Sequence, residues 1–140
     1  MWSAANVFWV NAAAADILVV TNANNSVDEL TLQQVKKLFL GRMNRFPDTG
    51  QDVSVLDLDE QQQLHQKFYE FVINMDSNRL KRYRARYLFS GKGMLPEKVN
   101  NQQEMLQLIT EKLTAVGYIE LEGQQSLPEG VKVVYRYDID

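Results

Sequence analysis

LTLQQVKKLFLGRMNRFPDTG, residues 30–50, is the stretch on which the reading of the fold turns. Thr31 stands three residues before Gln34, the spacing at which a hydroxyl caps a helix and the third residue bonds back to the cap's own backbone. Leu32, Val35, Leu38 and Phe39 then recur on one face of a helical period. Gly41 follows the last apolar residues, where a left-handed conformation closes a helix, and Lys36 and Lys37 lie beside its negative end. An amphipathic helix of this kind closes a strand–helix–strand unit and by itself names no ligand.

Working outward, residues 17–21 (ILVVT) form the continuous β-branched run of a buried, central strand, joined to the helix by a turn rich in Asn and Ser. Downstream, residues 53–58 (VSVLDL) read as a second strand. A helix follows to about Asn74, with Asp57, Asp59 and Glu60 at its start and an apolar stripe of Leu64, Phe68, Phe71, Val72 and Met75. Ser77 caps a further helix to about Phe89, and residues 90–96 make a glycine-flanked lysine loop. Asn100 or Asn101 opens the last helix, and residues 116–121 and 131–137 are the remaining strands. Strands alternate with helices first and helices dominate later. The expected architecture is therefore α/β, a mainly parallel mixed sheet flanked by helices.

At 140 residues the chain fits one domain with a core of its own, and no repeat or linker divides it. The absence of cysteine removes thiol catalysis, thiolate metal sites and disulfides. The first fifteen residues, MWSAANVFWVNAAAA, pair a small apolar centre with alanines in the manner of a secretory leader whose positive start is missing. The expected division is a shortened signal peptide over residues 1–15 and a domain over residues 16–140. The competing reading is an apolar arm that stays attached. Past that segment no run reaches the length of a membrane span.

Charge is sorted along the chain. Residues 77–93 hold six cations and no acid, which leaves the remainder nine negative against an overall −3. Arg79, Arg82 and Arg86 recur at helical spacing, and with Lys92 they form a candidate basic interaction face. Such a row reads either as a solvated face or as a surface for an anion or acidic partner; the acidic balance of the chain sets nucleic acid aside. His65, the single histidine, has no second histidine or nucleophile near it in sequence and reads as a solvated helix residue. Asp57 and Asp59 read as helix-start and solubility charges. No catalytic motif, metal set or cofactor motif emerges, so an enzyme is not expected.

Four pieces taken together carry a family resemblance: residues 17–50, residues 53–72 (VSVLDLDEQQQLHQKFYEFV), residues 82–99 (RYRARYLFSGKGMLPEKV) and residues 115–121 (AVGYIEL). The most specific are FLG at 39–41 with Phe46, Pro47 and Gly50 behind it, FSGKG at 89–93, and VGYI at 116–119. The pattern resembles small members of the phosphate ABC transporter substrate-binding-protein-like family. The resemblance implies a type II periplasmic-binding-protein fold, here a single lobe, a periplasmic location, an oxyanion ligand, and an ABC permease as partner; the alternative is a ligand-free periplasmic interaction or assembly module that docks on an envelope protein through the basic helix 79–86. Relatives in that family place an arginine and a Ser-Gly-Thr turn after the strand matching residues 53–58, so that hydroxyls and backbone N–H groups face the anion. This sequence has Asp57-Leu58-Asp59-Glu60-Gln61-Gln62 there, with carboxylates and no hydroxyl. The carry-over is therefore confined to Thr21, Asn22 and Ser26 in the first turn as candidate ligand-binding residues.

Overall fold

The computed structural model of the chain describes residues 15–91, 94–122 and 125–138. Most of the expected leader, residues 1–14, and Lys92 of the basic face lie outside the described residues.

The β-branched run forms strand β1 (Ala15–Asn22), buried from Ile17 onward. Both of its faces are apolar because helices cover both faces of the sheet. Strand β2 (Ser54–Leu58), the short β3 (Glu97–Val99), β4 (Ala115–Glu122) and β5 (Val131–Tyr137) complete a five-stranded sheet of order β3-β2-β4-β1-β5. β2 runs parallel to β3 and to β4, whereas β1 runs antiparallel to β4 and to β5. The sheet is thus mixed, parallel on one side of β4 and antiparallel on the other. β3 escaped the sequence reading because only Val99 of its three residues is buried, too short a run for any periodicity.

Helix α1 (Leu32–Phe39) has the reciprocal cap its sequence implies. Gln34 N–H donates to Thr31 Oγ1 at 3.1 Å, and Thr31 N–H donates to Gln34 Oε1 at 2.9 Å. At the other end Gly41 has φ +77°, its N–H bonds to Leu38 O, and Arg42 N–H bonds to Lys37 O, the paired closure that a left-handed residue permits.

Helix α2 (Gln63–Lys67) widens into a π-helical segment, Phe68–Ile73, which ends at Asn74 with φ 68°. The wider turn changes which side chains face inward. Phe71, expected on the apolar stripe, is 46% exposed, and Tyr69 takes an inward place, fully buried. Helix α3 (Ser77–Phe89) is capped by Asp76, not Ser77, through its carboxylate on Arg79 N–H. Helix α4 (Gln102–Glu111) is capped by Asn101.

Successive residues of β4 show the two layers. Tyr118 packs under α1 and the π segment, stacked on Phe68 at 3.9 Å and edge-on to Phe39 at 5.7 Å. Gly117 faces the other way, against Met105 and Ile109 of α4. Asp57 of β2 points to the Tyr118 side, and that side carries the polar cluster described next.

Candidate functional site

In an open α/β sheet, ligands gather beyond the C-terminal ends of parallel strands. At that end of β2 the chain places a carboxylate of its own. Asp57 is buried, and three donors converge on it: Tyr118 Oη at 2.5 Å from Oδ1, Tyr69 Oη at 2.8 Å from Oδ2, and Arg84 Nη2 at 3.3 Å from Oδ2. Arg84 Nη2 also donates to Tyr69 Oη at 2.6 Å, and its guanidinium lies over the Tyr69 ring. Tyr118 Oη in turn accepts from Leu58 N–H.

Four elements supply this cluster: β2 gives the carboxylate, the π segment Tyr69, β4 Tyr118, and α3 Arg84. Burial, reinforced by the Asp57 charge, raises the pKa of both tyrosines, so each keeps its proton and donates. Burial weighs against the charge of Arg84, but Tyr69 and Asp57 outweigh it and hold its pKa above the ordinary value. Two hydroxyls and a guanidinium around one carboxylate form an anion receptor whose anion is built into the chain.

His65 corrects the sequence expectation. It is buried, not solvated, with its ring 4.7 Å from that of Tyr69 and Nε2 3.7 Å from Asp57 Oδ2. The tight turn after β2, where Gln61 N–H bonds to Asp59 Oδ1, starts α2 close to the strand end and turns this face of the helix onto Asp57. Burial lowers its pKa, with Asp57 pulling up and Arg84 pushing down as smaller influences. His65 and Arg84 line a cleft of about 580 Å³ between α2 and α3, together with Glu60, Leu80 and Lys81.

Asp57 corrects a second expectation, since it is a buried hydrogen-bond acceptor and not a helix-start charge. Asp59 does play the expected turn-capping part. The spacing of His65 and Tyr69, four apart on a helix, and of Leu80 and Arg84, likewise four apart, was the available signal for the inward side of each element.

Thr21 and Asn22 are buried and committed to backbone. Thr21 Oγ1 donates to Ala115 O at 2.7 Å, and Asn22 Nδ2 donates to Ile109 O and Thr110 O at the end of α4. Ser26 is exposed. Thr21 pairs with Val116, which pairs with Val55, whereas Asp16 at the start of β1 pairs with Leu121. The first turn therefore lies at the sheet end opposite to Asp57. Arg79, Arg82 and Arg86 are exposed on the outer side of α3, and among the described residues none of them enters an ion pair. Also among the described residues, no group of three or more His, Asp or Glu is placed to hold a metal ion, and no helix is long and apolar enough to cross a membrane.

The fold is of the periplasmic-binding-protein kind and resembles that of solved phosphate ABC transporter substrate-binding proteins. A phosphate-bound protein described as a putative phosphate ABC transporter substrate-binding protein, from Clostridium perfringens, superposes with a TM-score of 0.68 at 18% identity, over 89% of this chain and 46% of its own. An ABC-type phosphate transport receptor from Vibrio cholerae gives 0.66 at 18% identity, over 89% and 47%. PstS from Borrelia burgdorferi gives 0.65 at 12% identity, over 87% and 47%. The chain thus spans about half the length of the solved structures it matches, and at these identities the likeness is one of fold. No protein-family model and no curated protein matches the chain.

Proposed function

We propose that the chain is a secreted, non-enzymatic binding-protein-like module, placed in the periplasm beside an ABC transport or envelope system, that binds phosphate or a related oxyanion weakly at most. The observation that carries this reading is the Asp57 cluster: the cation and hydroxyls that could hold an anion at the end of β2 are already occupied by a carboxylate of the chain. A second anion brought there would meet Asp57, Asp59 and Glu60, and like charges at close range oppose it.

A second reading has its own support. Arg79, Arg82 and Arg86, exposed and in no ion pair among the described residues, form a face through which the module docks on a partner such as a permease or envelope protein. Cross-linked capture of that partner is then lost on charge reversal at Arg82 and Arg86.

Isothermal titration of the domain with phosphate and sulfate tests the first reading. The expected result is no binding tighter than millimolar, and a sub-micromolar phosphate Kd would overturn it. The Asp57→Ala variant supplies a second arm. Leaving half-buried Arg84 without its counter-ion, and the buried Tyr69 and Tyr118 hydroxyls without their acceptor, should lower stability to urea by about 3–5 kcal/mol. Formate, which matches the missing carboxylate, should restore part of that loss in the variant and leave the parent unchanged.

A further inference from the structure

We propose that the outer face of α3 docks peripherally on an anionic lipid bilayer. The inference rests on the second reading above, in which the arginine row is a working surface, and it names what that surface meets.

Arg79, Arg82, Arg86 and Phe89 stand at i, i+3, i+7 and i+10, so they share one side of the helix, the side away from buried Leu80. Phe89 is 96% exposed among those arginines. Seven large hydrophobic side chains are exposed among the described residues, and four of them, Leu88, Phe89, Met94 and Leu95, fall within residues 88–95. Met94 and Leu95 line the cleft beside Gly41 and Met43, and Leu88 lines the one beside His65, so Phe89 is the one of the four that stands among the arginines. From Ser77 to Gly91 there is no acid, while the rest of the chain is acidic and would be repelled from a negative surface. That asymmetry orients the molecule with α3 toward the lipid.

The geometry favours a bilayer over an acidic protein. Phe89 stands out from the surface. A protein partner must offer a fitted pocket to bury it, whereas the headgroup boundary of a bilayer accepts an aromatic ring with arginines around it. Basic side chains add attraction to anionic headgroups, screened by salt.

Co-sedimentation of the full chain with vesicles tests this, comparing phosphatidylglycerol mixed into phosphatidylcholine with phosphatidylcholine alone. The expected result is binding to the anionic vesicles only, weakened by salt. Reversing Arg82 and Arg86 to glutamate should lower partitioning by about thirtyfold or more. Phe89→Ser should lower it by about tenfold at unchanged charge. All three positions are exposed, so the fold is retained, and an unchanged urea midpoint checks this. Equal binding to both vesicle types overturns the proposal. So does a Phe89→Ser variant that binds as well as the parent, because attraction would then be charge alone. If vesicles are ignored while charge reversal abolishes cross-linked protein capture, the bilayer is wrong and the docking face stands. If neither responds, both readings fall.

Discussion

Asp57 is 4% exposed, and a carboxylate withdrawn that far from water is tolerated only when donors replace the lost hydration. Tyr69, Tyr118 and Arg84 do so from three separate elements, and this is why the cluster was not legible in sequence. Its members lie at positions 57, 69, 84 and 118, with no spacing that a linear pattern could capture. His65 adds a titrating group to the same cluster. Its pKa is lowered chiefly by burial, so between the ordinary histidine value of about 6.5 and the folded value the unfolded chain binds the proton more readily. Protons bound in the unfolded state exceed those in the folded state, and stability therefore falls as pH drops through that window. His65→Gln removes the proton site, so its urea midpoint should fall less steeply than the parent's between pH 7 and pH 5. Equal slopes would assign the acid sensitivity to the carboxylates alone.

At the level of the element, local chemistry was read well where it was self-contained. The cap of α1 needs only Thr31, Gln34 and Gly41, all within eleven residues, and each does what its spacing implies. The π segment leaves no mark at the ordinary helical period, where an apolar count assigns Phe71 inward, whereas the wider turn buries Tyr69 beside Phe68. Gly41 offers a direct test of the legible part. It holds φ +77°, and a Cβ there would lie 2.9 Å from Met94 O. Gly41→Ala should cost more than the ~1–2 kcal/mol of a left-handed alanine, read from urea unfolding. Gly50, with φ +68° and nothing within 4 Å of an added Cβ, should show only the conformational cost.

For the molecule as a whole, the packing of α4 on the sheet depends on Gly117. A Cβ at that position would lie 2.3 Å from Met105 Sδ and 3.2 Å from Ile109 Cδ1. Gly117→Ala should therefore destabilise by about 1–3 kcal/mol, less than additively with Met105→Ala, which makes room for it; strict additivity in a double-mutant cycle would show that the two do not compete for space. The fold class was legible because the order of strands and helices alone restricts the layers that can form. The sheet order was not, since β1 joins strands from the far end of the chain. Asp16 meets Arg136 across a separation of 120 residues, and β1 is enclosed by β4 and β5 on its two edges. That topology also governs timing. β1 must wait, unpaired and apolar, until β4 and β5 are available, so folding is slow for the size of the domain and the unfinished chain passes through a stage prone to aggregation.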